Sequence, residues 1–180
     1  MCMLWRKRAK LYEQAILRPH PSEQGVPPLD LTVDYRKCGS ALVVEFVTHE
    51  DTDWIVWPGL AEPKRADHLW QTTCFEVFIQ TDVGYLEYNL SPSSSWASYR
   101  FDGYRSGMRS APEFVASSGM RFENYWGLLR AQLLLPPNAK RLGFSAVIQT
   151  TDGRFVHWAL AHPSDKPDFH HPDSFVLDLP

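Results

Sequence analysis

From residue 28 onward, apolar side chains recur at every second position in short runs. Leu31, Val33 and Tyr35 alternate in this way, as do Leu42, Val44 and Phe46, then Phe75, Val77 and Ile79, then Leu86, Tyr88 and Leu90. The pattern returns in Leu129, Ala131, Leu133 and Leu135, in Leu142, Phe144, Ala146 and Ile148, and in Val156, Trp158 and Leu160. A period of two is that of a strand with one face buried, and Gly, Pro, Asn or Asp separates the runs. Counting 13–18 and 175–179, about eight to ten strands are expected. Without helices between them they favour an all-β, single-domain chain: a two-sheet antiparallel β-sandwich of jelly-roll or immunoglobulin-like type. Asp152-Gly153 predicts a hairpin turn. Residues 91–95 and 162–172, rich in Ser and in Pro, His and Asp respectively, read as loops.

The same alternation identifies side chains that leave the core. If Phe75, Val77 and Ile79 point inward, Glu76 points outward; if Leu86, Tyr88 and Leu90 do, Tyr85, Glu87 and Asn89 face the other way. A sheet face with carboxylates, amides and aromatic rings suits a polyhydroxylated ligand, although one wet face is also usual in antiparallel sheets. Seven Trp in 180 residues exceed what one modest core requires, so some, among them Trp96 and Trp158, are candidates to line a pocket. Tyr104 and Arg105 follow a Ser-rich loop and add stacking and hydrogen-bonding capacity. Late in the chain, His162, Asp168 and His170 lie in a polar loop that either contacts a ligand or is locked by its own hydrogen bonds.

Composition removes several classes. Eighteen basic and 21 acidic residues give a net charge of -3, which argues against a nucleic-acid binder. Residues 1–18 carry Arg6, Lys7, Arg8, Lys10 and Arg18 against Glu13, a local +4 that leaves the remainder at -7. Residues 1–12 are read as an N-terminal extension, helical or disordered, and 13–180 as the folded domain. No apolar run approaches the ~20 residues of a membrane span, and the start lacks a signal-peptide core, so a cytoplasmic protein without a membrane partner is expected. Three widely spaced cysteines suggest neither disulfides nor a zinc site. No metal-binding helix motif, nucleophile elbow or dinucleotide fingerprint is present. Glu76 and Glu87 leave open a carboxylate-dependent hydrolase, as the late histidines do a metal-dependent one.

Residues 69–78 (LWQTTCFEVF), 87–92 (EYNLSP), 96–101 (WASYRF), 104–108 (YRSGM) and 161–171 (AHPSDKPDFHH) together resemble the bacterial DOMON-like domains related to carbohydrate-binding module family 9. The resemblance extends from about Ala15 to the C terminus. It implies a β-sandwich that binds a ligand without catalysis, a saccharide or sugar-like small molecule being the expected partner. The slot it implies uses Trp96 and Tyr104 for stacking, with Glu76, Asn89 and Arg105 for hydrogen bonds. No cofactor is expected on that branch. The haem-binding branch implies haem b held by Met108 and either His162 or His170.

Overall fold

The computed structural model describes residues 12–49, 51–123 and 126–179. The extension expected over 1–12 thus lies, Tyr12 apart, outside the described residues. Along the chain run β1 (Glu13–Ile16), β2 (Arg18–Pro19), β3 (Asp30–Cys38), β4 (Ala41–His49), β5 (Cys74–Gln80), β6 (Tyr85–Leu90), β7 (Trp96–Phe101), β8 (Arg109–Ser110), β9 (Val115–Glu123), β10 (Trp126–Leu134), β11 (Arg141–Gln149), β12 (Phe155–Ala159) and β13 (Leu177–Asp178). They form two antiparallel sheets. The first has the order β1-β3-β4-β10-β9; the second has the order β2-β12-β11-β5-β6-β7-β8, with β13 also paired to β11. The two-sheet sandwich expected from the alternation is therefore the fold. No helix among the described residues is long and apolar enough to cross a membrane.

Alternation places the core where the two inner faces meet. Val33, Val44, Phe46 and Leu129 of the first sheet pack against Phe75, Val77, Tyr88 and Phe144 of the second, all buried. Phe46 and Phe75 have ring centroids 4.8 Å apart. Tyr88 is buried in this layer, and its hydroxyl donates to the Leu134 carbonyl at 2.6 Å, which satisfies its polar end. Trp96 and Trp158 also belong to this core, 8% and 3% exposed. The expectation that they line a pocket is corrected by their packing between the sheets.

The second sheet is covered on its outer face as well. Cys74, Phe78, Tyr85, Tyr99, Phe101 and Val147 form a second apolar cluster with Leu69, Phe169 and Phe175, which belong to the segments before β5 and after β12. The 3-10 turn at Leu69–Gln71 and the loop that carries Phe169 roof the sheet. A face whose polar residues could have been wet is thus largely withdrawn from solvent.

Arg65 anchors one edge of this roof. Its guanidinium donates to the Ser98 hydroxyl (3.1 Å), the Ala111 carbonyl (3.0 Å), the Ser98 carbonyl (2.7 Å) and the Ser110 hydroxyl (2.5 Å), and it lies over the Trp96 ring. Backbone bonds from Ala66 and to Lys64 fasten the same segment to Trp96. Truncation leaves several partly buried acceptors without a donor, so Arg65→Ala is expected to lower stability by about 2–3 kcal/mol. The shift of the urea unfolding midpoint measures it; a loss under about 0.5 kcal/mol, typical of a surface position, would contradict the role.

Candidate ligand-binding cavity

Between the outer face of the second sheet and its roof lies a cavity of about 370 Å³. Alternation builds its floor. Register sets Glu76 of β5 opposite Asn89 of β6 on one side and Ser145 of β11 on the other, and sets Glu87 of β6 opposite Phe78. Glu76 and Glu87 consequently reach the same cavity from adjacent strands, together with Val147 of β11 and Phe101 of β7. Trp70, Phe169 and Pro167 line it from the roof, and Arg105 and Met108 from the connection between β7 and β8.

Both carboxyl groups are held by short polar contacts beneath the cavity. The Ser145 hydroxyl donates to Glu76 Oε2 at 2.9 Å, and the Asn89 amide donates to Glu87 Oε1 at 2.5 Å. Asn89 in turn accepts from the buried Cys74 thiol at 3.6 Å. Burial pushes the Glu76 carboxyl well above the ordinary 4.5, and repulsion from Glu87 adds to the shift; burial likewise raises Glu87. Ser145, Asn89 and Arg105 oppose these shifts without cancelling them. Desolvation dominates because each side chain is only 4% exposed.

The wall is a hydrogen-bonded chain. The Arg105 backbone N–H donates to the Tyr85 hydroxyl oxygen at 3.3 Å, and that hydroxyl lies 2.8 Å from His170 Nδ1. The direction of the Tyr85–His170 bond follows the imidazole tautomer. His170 Nε2 faces Glu87 Oε2 across 3.8 Å. Burial, reinforced by the Arg105 charge, pulls the His170 imidazolium down to about 4, so the ring is neutral at pH 7. Asp168 fixes the arginine: it accepts from Arg105 Nη2 at 2.8 Å and from the Tyr104 hydroxyl at 2.6 Å, and its Oδ1 also accepts the His170 backbone N–H at 3.2 Å. Arg105 sits at φ +51°, a left-handed conformation that the ion pair helps to hold.

Of the ten residues selected from the sequence, Glu76, Glu87, Arg105 and His170 line the cavity. Asp168 and Tyr104 position Arg105 from the rim, and Asn89 supports Glu87 from behind. Trp96, Trp158 and His162 are not brought there. His162 instead hydrogen-bonds the Arg18 carbonyl at 2.8 Å and packs edge-on against His20, because its loop joins the end of β2. The aromatic surface expected of Trp96 comes from Trp70, Phe101 and Phe169. Phe101 shares the outer face of β7 with Tyr99; the roof residues Trp70 and Phe169 carry no periodic signal. His157 also lines the cavity, with its Nδ1 held 2.7 Å from Glu23.

Haem held by Met108 and His170 does not fit this donor set. His170 Nδ1 is hydrogen-bonded to Tyr85 and its Nε2 faces Glu87 across 3.8 Å, so an iron on either nitrogen would break the Tyr85 bond or displace the Glu87 carboxyl. Among the described residues, no group of three or more His, Cys, Asp or Glu side chains is placed to hold a metal ion.

No protein-family model matches the chain, and no curated protein matches it. Solved structures do resemble it. A candidate carbohydrate-binding protein from Bacteroides uniformis superposes with a TM-score of 0.61 at 14% identity, covering 91% of this chain and 84% of that one. A carbohydrate-binding module of family 9 from Caldicellulosiruptor kristjanssonii, in complex with cellotriose, gives a TM-score of 0.52 at 10% identity, covering 88% of this chain and 75% of that one. At these identities the likeness is one of fold: the two-sheet β-sandwich is shared with carbohydrate-binding modules of family 9.

Proposed function

We propose that the chain binds a small saccharide or sugar-like molecule in this cavity without transforming it. The observation that carries the reading is the combination within one enclosed space of two carboxyl groups, an anchored arginine and an imidazole with the ring surfaces of Trp70, Phe101 and Phe169. Sugars present alternating hydroxyl edges and apolar faces, and this lining offers acceptors, donors and aromatic faces together. The fold shared with a module solved in complex with cellotriose adds support.

A hydrolase reading draws on the same pair. Glycoside hydrolysis pairs a proton-bearing acid with an ionised nucleophile or base, which requires environments that push the two carboxyls apart. Here burial raises both carboxyls, which titrate as a pair. Isothermal titration against mono- and disaccharides tests the proposal, with Phe101→Ala expected to weaken any positive titration about tenfold, near 1.4 kcal/mol. Silence across the panel overturns saccharide binding, and turnover of a chromogenic glycoside overturns the non-catalytic reading.

A further inference from the structure

Among the described residues, the two carboxyl groups on the cavity floor have no cation of their own. Arg105 is the cation at its rim, and its guanidinium is already paired with Asp168, a carboxylate outside the floor. On the floor, Ser145 satisfies one oxygen of Glu76 and Asn89 one oxygen of Glu87. Among the described residues no hydrogen-bond donor reaches the other oxygen of Glu76, and His170 Nε2 stands 3.8 Å from the other oxygen of Glu87, beyond hydrogen-bond length. Two carboxyl groups more than nine-tenths buried thus each bring an unpartnered oxygen to one cavity.

We propose that the ligand carries a primary ammonium group, as an amino sugar does, and that this group sits between the free oxygens of Glu76 and Glu87. A sugar hydroxyl brings one donor and no charge; an ammonium brings three donors and a positive charge that stabilises the ionised carboxylates. A hard metal ion is a weaker match, since calcium and magnesium require about six or more oxygen ligands. The inference rests on the saccharide reading and adds its charge class.

Proton linkage supplies an independent readout. Cys74 lies under the pair, Tyr85, Tyr99, His170 and Arg105 flank it, and Asp168 and His157 are the further titratable groups around it. Burial raises both carboxyls of the empty pair, so an entering ammonium ion favours their ionised forms and expels protons to solvent.

The experiment is calorimetric titration at pH 7 with glucosamine, glucose, N-acetylglucosamine and cyclohexylamine, repeated in buffers of different ionisation enthalpy. Glucosamine is expected to bind at least about tenfold more tightly than either neutral sugar, with net proton release, and Glu76→Gln to remove that difference. Glucose or N-acetylglucosamine binding as tightly as glucosamine overturns the ammonium site while leaving the saccharide reading intact. Cyclohexylamine binding as tightly as glucosamine supports the ammonium site and removes the saccharide reading. Silence from all four probes overturns both.

Discussion

Replacing Gly84 by alanine is expected to lower the unfolding free energy by roughly 3 kcal/mol or more. Gly84 closes the turn between β5 and β6 at φ +73°, where Thr81 N–H donates to its carbonyl at 3.1 Å. A Cβ there would lie 1.8 Å from the Phe101 carbonyl oxygen and 2.8 Å from its carbonyl carbon. Those atoms are backbone in the neighbouring strand, so no rotamer change relieves the clash; β6 and β7 must separate. Tyr85 and Phe101, the adjacent cross-strand pair, stack 4.7 Å apart and nearly parallel, so the strain also reaches the cavity wall. Gly39→Ala is the matched control: φ is +59° but nothing lies within 4 Å, leaving only the ~1–2 kcal/mol of a left-handed alanine. Urea midpoints for both variants measure the difference. If Gly84→Ala is no more harmful than Gly39→Ala, the close approach of the two strands is wrong.

The strands with clean alternation, β3, β4, β5, β6, β10, β11 and β12, were legible in the sequence because their core-facing apolar residues recur with a period of two. β9 was not. A register shift between Leu129 and Ala131 of its partner marks an irregularity near Gly119, so Val115 and Met120 are both buried although five positions apart. β7 was obscured for another reason: core and roof cover its opposite faces, and its core-side positions are Trp96, Ser98 and Arg100 whereas Ala97, Tyr99 and Phe101 join the cluster under the roof, so no apolar period marks the core side. That double coverage also explains how the site was partly found. Glu76, Glu87 and Asn89 were placed on the correct face, yet whether that face was wet or roofed depended on contacts between segments far apart in sequence. The placing of Trp96 in the core and of Trp70 at the cavity has the same origin. Trp96 begins a regular strand with its ring in the core, whereas Trp70 reaches the cavity through a three-residue 3-10 turn that no periodicity announces.

Between about pH 6.5 and 8 the fold is expected to lose stability as pH rises. Glu76 and Glu87 have carboxyls raised above their unfolded 4.5, so across this window the native state holds more protons than the unfolded chain. The number bound in the unfolded state minus that in the native state is then negative, and stability falls with pH, by up to about 1.4 kcal/mol per unit for each carboxyl. Their stabilising effect is complete below 4.5 and is lost as pH rises through the elevated native values. His170 acts in the opposite sense: its native value, about 4, lies below its unfolded 6.5, so its contribution increases with pH between those limits and is complete above them. The carboxyl effect is therefore partly masked below 6.5 and exposed above it. Glu76→Gln retains an acceptor for the Ser145 hydroxyl and removes one ionisation together with its repulsion of Glu87. The variant should show a flatter pH profile and at pH 8 exceed the natural chain by about 2 kcal/mol. Denaturant unfolding at half-unit intervals of pH decides the matter: a natural chain whose stability stays level or climbs from 6.5 to 8 would mean that the two carboxyls ionise freely and that the cavity floor is far more solvated than its geometry indicates.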